Sequence, residues 1–293
     1  MRKADPMSHV DDRSPADPAP GVISVANKDW KRFRYPESLV RYGTVLGVLV
    51  FLGYSLHFMN VDIGRMLGAF GRIGDVIASR YYPPDIEYVL QADYLASIVD
   101  TLQMSYLGGA VGVLIAIPLA WFSAFNVTPG RRLLFPLGRI GVISCRSIHE
   151  TIWTILFVSV LGFGMLSGVL ALTMFCIGFA GKLFADEIEA VDMGPVEAMR
   201  ATGANSFQIV IWGVLPQVRV AFMGIAIYTW DVAFRAATVV GFFGGGGMGW
   251  YLKRNIQQLE NYRVGAIIIS IIALVLVAEY LSGWLRARVD RAK

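Results

Sequence analysis

Six stretches of the chain are apolar for long enough to cross a bilayer, and the polar residues collect between them. A hydrocarbon core about 30 Å thick needs roughly 20 mostly apolar helical residues. The first stretch runs from about Tyr42 to Met59, the second from Thr101 to Phe125 and the third from Leu133 to Leu161. The fourth rises at Leu166 and continues past Lys182, the fifth covers Val218 to Phe242 and the sixth Val264 to Leu285. The pattern predicts an all-α integral membrane protein: an N-terminal membrane helix over 41–60, an outer segment over 61–95 and a five-helix core over 96–286, with tails at 1–40 and 287–293. Pro118 lies inside the second stretch, where a bundle of neighbouring helices tolerates a kink. The third is broken by Arg139, Arg146, His149 and Glu150 and is too long and too charged for a plain lipid-facing helix.

Basic residues set the expected orientation, because they concentrate on the cytoplasmic side. Lys31, Arg32, Arg34 and Arg41 precede the first stretch, Arg131 and Arg132 follow the second, and Arg286, Arg288, Arg291 and Lys293 follow the last. Both termini are therefore expected in the cytoplasm, on the inner side of a multi-pass membrane protein. The segment to Asp100 has no basic excess and suits the outer side. The first forty or so residues are polar and proline-rich without an apolar run, which reads as a flexible tail and not a signal peptide.

Composition agrees: 55% of the 293 residues are hydrophobic, 16% are charged, and mean hydropathy is +0.55. The net charge of +4 follows from topology and does not call for nucleic acid. Cys145 and Cys176 both lie in apolar stretches, and the three histidines, His9, His57 and His149, are scattered. Neither a disulfide framework nor a metal site is expected.

The segment from Asp192 to Gln217 is amphipathic and too short in its apolar runs to span. Pro195 suits the first turn of a short helix. Gly203 suits the left-handed position that ends it. Asn205 or Ser206 can cap a second short helix, which Pro216 would end. The expected result is a helix-turn-helix elbow over about 193–215. Glu197-Ala198-Met199, Gly203 and Leu215-Pro216 within it resemble the EAA loop of ABC importer permeases, whose pattern reads Glu-Ala-Ala-X3-Gly-X9-Ile-X-Leu-Pro. Met199 replaces the second alanine and Gly213 the isoleucine.

The resemblance extends from about Ala96 to the C-terminus, over the five-helix core of methionine-importer-like permeases, and implies a type I ABC importer transmembrane domain. Arg146-Ser147-Ile148-His149-Glu150-Thr151-Ile152-Trp153 is similar to the Arg-Ser-Ile-Pro-Glu-Leu-Ile-Trp stretch of phosphonate permeases, with His149 in place of the proline. The runs from Ala180 to Glu189 and from Asp231 to Gly241 are similar to that subfamily too. The resemblance implies an import pathway for phosphonate, phosphate or phosphite. It further implies that Glu197, Ala198, Gly203, Ala204, Leu215 and Pro216 couple the pathway to an ATPase. No Walker-type phosphate loop is visible, so ATP and magnesium would be bound by two partner ATPase subunits and this chain would need no cofactor. A second permease copy, an extracytoplasmic binding protein and membrane lipid complete the implied partners.

Asp231 and Arg235 share a helical face and can pair. Such groups cost at least ~2.5 kcal/mol each at membrane depth when exposed to lipid, so they face the bundle or a wet cavity. They either neutralise one another, or pair across helices, or line or gate the outer part of the pathway. Arg146, His149 and Glu150 invite the same two readings. Gly245, Gly246 and Gly247 form a pliant turn where spans pack or move. Gly108, Gly109 and Gly112 suggest close helix contact. A permease of this fold for another small solute, a membrane-embedded enzyme using Asp231 or His149, and a self-contained secondary transporter are the alternative classes.

Overall fold

The computed structural model describes residues 37–59 and 63–291, and among them every regular element is helical. Of the expected tail over 1–40, residues 1–36 lie outside the described residues and 37–40 belong to a helix; residues 292–293 of the expected tail over 287–293 also lie outside them. The chain forms two compact units, Met1–Ala69 and Phe70–Lys293.

In the first unit, α1 spans Glu37–Phe58 with a mean hydropathy of 1.6 over its apolar window. Next comes α2, Ile63–Val76, which was not foreseen. A π-helical turn, Ile77–Tyr81, continues it.

The second unit continues with the single turn α3 (Ile86–Val89), then α4 (Ala92–Ser123), α5 (Leu134–Ser147), α6 (Glu150–Leu161) and α7 (Met165–Glu189). The elbow contains α8 (Met193–Ala201) and α9 (Ser206–Gln208), and α10 (Leu215–Val240), α11 (Met248–Gln257) and α12 (Asn261–Asp290) complete the order. Among the described residues, five helical segments are long and apolar enough to cross a membrane: Ser38–Phe58, Ala92–Ser123, Met165–Glu189, Ser206–Gly245 and Asn261–Val289. The remaining expected span is broken into α5 and α6 at Ile148-His149. His149 adopts an extended backbone and its ring accepts a hydrogen bond from the Thr151 amide, so it starts a new helix instead of continuing α5.

Small residues explain why α4, α5 and α7 pack so tightly. A Cβ at Gly108 would lie 2.7 Å from Cβ of Leu172, and one at Gly138 would lie 2.8 Å from the backbone of Phe122. Gly112 meets Cys176 in the same way, and a Cβ at Gly178 would come within 2.5 Å of the Arg146 amide nitrogen. Without lipid-excluding apolar pressure between helices, such close backbone approach is the main source of association. These contacts make α4 and α7 parallel and α5 antiparallel to both. The ends of α4 and α7 and the start of α5 therefore share one end of the bundle with the elbow.

At the elbow end, Ala116, Ala120, Phe184, Ile188, Val196 and Val214 form one buried cluster. Phe184 and Phe222 stack at 4.2 Å inside the same region. Near the opposite end, Tyr94, Phe234, Met248 and Ile267 bury together, tying α11 and α12 to α4 and α10. The amphipathic helix α11 was not foreseen; Met248 and Asn255, a heptad apart, are its buried face.

Candidate functional site

The elbow begins where Asp192 caps α8 by accepting from the Gly194 amide at 3.0 Å. Pro195 occupies the first turn, where a missing amide hydrogen does no harm. Gly203 has φ +81° and a Cβ there would meet no atom within 4 Å, so only backbone conformation selects glycine. The expected left-handed turn is thus present. Asn205 caps α9 in a reciprocal box with Gln208, both bonds at 2.9 Å.

Pro216 does not end a second short helix as expected. A π-helical turn, Ile209–Val214, carries α9 into α10, and Ser206–Gly245 is one helical run of 40 residues. In the wider turn Leu215 donates to Val210, and Pro216 falls at the start of α10, where its lost donor is tolerated. Leu215 is therefore the first residue of a spanning helix and not the last of the elbow.

Val196 and Gly213 are buried while Glu197, Ala198 and Gly203 are exposed, and Ala204 is half-buried. Burying a valine side chain contributes roughly 1.5–3 kcal/mol, so α8 is anchored on one face and free on the other. Glu197 has no ion-pair partner among the described residues. The elbow also touches the loop after α4. Arg200 donates to the Asn126 carbonyl at 2.9 Å, and the Asn126 amide donates to the Ile188 carbonyl at 2.8 Å. The expectations from sequence did not include Arg200 or Asn126; Arg200 lies four positions from Val196, and that spacing alone does not reveal the loop it reaches.

The charged residues within the apolar stretches separate into distinct places. Asp231 and Arg235 pair at 3.0 Å on α10; the aspartate side chain is 3% exposed and the arginine 39%. His149 and Glu150 approach to 3.4 Å at the start of α6. Arg146 belongs to neither group. It lines a cavity of about 440 Å³ with Ser123, Arg139, Ser147 and Lys182, which α4, α5 and α7 contribute. Arg139 pairs with Glu189 at 3.3 Å and Lys182 pairs with Asp186.

The glycine turn lies at the opposite end from the elbow. Gly244, Gly246 and Gly247 have φ of +111°, +92° and +69°. The Gly164 amide donates to the Gly244 carbonyl at 3.1 Å, and the Met248 amide donates to Thr101 Oγ1 at 2.9 Å. A Cβ at Gly245 would come within 2.6 Å of a Val240 methyl, which makes the turn a close-packed junction of α4, α7 and α10.

Residues 98–291 match the family described as binding-protein-dependent transport system inner membrane component. The phosphite transport system permease protein PtxC of Stutzerimonas stutzeri is 35% identical over 280 residues, 95% of this chain and 98% of that protein. The phosphate-import permease protein PhnE of Mycolicibacterium smegmatis is 36% identical over 212 residues, 72% of this chain and 40% of that protein. Among solved structures, an inward-facing MetNI methionine ABC transporter aligns with a TM-score of 0.57 at 21% identity, covering 67% of this chain and 95% of that one.

Proposed function

The chain belongs to the family of binding-protein-dependent transport system inner membrane components, and on that premise we propose that it forms the pathway by which a phosphorus oxyanion enters the cell. It is a multi-pass permease subunit of an ABC importer, a transport component and not an enzyme, and the family works with an ABC ATPase and a binding protein. The cargo reading is supported by the relatives named for phosphite and phosphate transport. It is also supported by an arginine-bearing cavity, since guanidinium groups match the geometry of phosphate oxygens.

The elbow faces the cytosol, together with both termini, and docks on the ATPase. The observation that carries this reading is the division of α8: Val196 is sunk in the bundle core, whereas Glu197 and Ala198 are presented to solvent. Force applied to the free face reaches α4, α7 and α10 through the buried one. Two copies of this chain enclose the pathway, each with its own ATPase subunit, and membrane lipid covers their outer faces. Asp231, Arg235, His149, Glu150 and the turn at Gly245, Gly246 and Gly247 are the gating elements, and Glu197, Ala198, Gly203, Ala204, Leu215 and Pro216 carry the coupling. ATP and magnesium reside on the ATPase.

The test is a cysteine at Ala201, on the exposed face of α8, in the assembled transporter. Crosslinking to the ATPase that changes with nucleotide, together with ATP-dependent uptake of phosphite, phosphate or methylphosphonate, is expected. Labelling of that cysteine from outside the cell would overturn the orientation. Uptake of none of the three anions would overturn the cargo.

A further inference from the structure

We infer that the cavity between α4, α5 and α7 is a transient binding station for the oxyanion near the inner end of its path, with Arg146 as the direct contact. The inference rests on the cargo reading above and gives that cargo a place. Arg139 and Arg146 are separated by seven residues on α5, about two helical turns or roughly 10 Å along one face. Lys182 faces them from α7 across the same cavity. The three cations thus form a short ladder. At one end the backbone of Arg146 lies against Gly178 near the middle of α7 while its side chain is exposed, and at the other Arg139 reaches Glu189 at the root of the elbow.

The three are not equivalent. Arg139 is held by Glu189 and by the Ser123 carbonyl at 3.4 Å, and Lys182 by Asp186. Arg146 has no ion-pair or side-chain hydrogen-bond partner among the described residues. Its fork of donors is available to two oxygens of one anion, an arrangement that an ammonium group does not reproduce. The neutral donors in the cavity are already engaged. Ser123 donates to the Leu119 carbonyl and Ser147 to the Ile143 carbonyl, each at 2.8 Å. Recognition here therefore depends on charge and on the guanidinium fork, not on hydroxyl donors.

Two of three cations being balanced by carboxylates leaves a net charge of one on the cavity. A passage needs a site attractive enough to admit its ion and weak enough to release it. A fully uncompensated triad would hold a dianion; a single free guanidinium in a half-open cavity passes it on. Glu189 and Asp186 also supply the repulsion that returns the anion to water as it moves toward the elbow end.

A cysteine at Ile143, an exposed residue of the cavity wall, reports on the site. The assembled transporter, with Cys145 and Cys176 replaced, is placed in phosphatidylcholine nanodiscs and labelled with anionic, cationic and neutral thiol reagents. Phosphite, phosphate or methylphosphonate at millimolar concentration is expected to slow the labelling severalfold. Arg146→Gln is expected to abolish that protection and to lower the anionic-to-cationic rate ratio by roughly tenfold, the scale of one nearby charge in a partly solvated site. Arg146→Lys restores the ratio but not the full protection. Unchanged neutral labelling shows that the cavity is intact; if Arg146→Gln alters it, Lys182→Gln carries the test through a smaller loss of protection.

No protection in a preparation that imports the same anion overturns the site, as does protection that survives Arg146→Gln. Protection that appears only when phosphatidylglycerol is added assigns the cavity to a lipid headgroup and also overturns it. A transporter that imports none of the three anions fails at the cargo reading, and the site falls with it.

Discussion

Arg200 on α8 donates to the carbonyl of Asn126 across 2.9 Å, a bond between the elbow and the loop that leaves α4. Asn126 then donates to Ile188 at the end of α7, so one asparagine joins three elements. Arg200→Gln is expected to reduce uptake by about fivefold, the effect of losing one hydrogen bond of ~1 kcal/mol. Basal ATPase activity is expected to persist, because the bond transmits movement and takes no part in hydrolysis. Equal loss of uptake and ATPase activity would show that the bond holds the assembly together and does not couple it.

Gly203 is open to solvent, and its requirement for glycine comes from φ alone. Gly203→Asn is expected to cost little, since asparagine visits the left-handed region with local hydrogen bonding. Gly203→Val is expected to cost at least ~1–2 kcal/mol and to misdirect α9. Elbow-to-ATPase crosslinking yield, compared across the two variants, is the readout.

The spans and the elbow were legible because they depend on signals local in sequence: apolar length, Pro195, the turn glycine and Asn205. What was not legible depends on neighbours. The break before Glu150 is set by His149 capping a new helix while α5 is pinned against Gly178. Arg146, His149 and Glu150 interrupt the third stretch there, but their charges alone do not say where a new helix begins. Pro216 read as a stop because a proline normally ends an α-helix, but a π-helical turn shifts the hydrogen bonding by one residue and removes the conflict. Arg146 was singled out beside His149 and Glu150, its neighbours in sequence; only the packing of α4, α5 and α7 places it with Arg139 and Lys182 instead.

The ion pair on α10 is asymmetric, and its two single variants should differ. Arg235→Gln leaves the Asp231 carboxylate buried without its partner, which is expected to destabilise by about 3 kcal/mol. Asp231→Asn leaves an arginine that is 39% exposed and can turn toward water, so a smaller loss is expected. The double variant should recover most of the difference. Thermal unfolding of the four proteins in detergent measures all three quantities, and additive losses would mean that the pair is not coupled.

The glycine turn offers the sharpest separation of packing from hydrogen bonding. Thr101 Oγ1 accepts from the Met248 amide at 2.9 Å while donating to the Ser97 carbonyl at 2.9 Å, and the threonine is fully buried. Thr101→Val conserves shape but leaves the Met248 amide without an acceptor in a place that water does not reach. The cost of such an orphaned donor is about 1–3 kcal/mol. Thr101→Ser keeps the acceptor and loses only a methyl group, roughly 0.8 kcal/mol of burial. If the junction of α4, α7 and α10 is held by this bond, valine must be the worse substitution by thermal unfolding and must also speed hydrogen exchange at Met248. If serine proves worse, the methyl contacts hold the turn, and the hydroxyl is incidental to it.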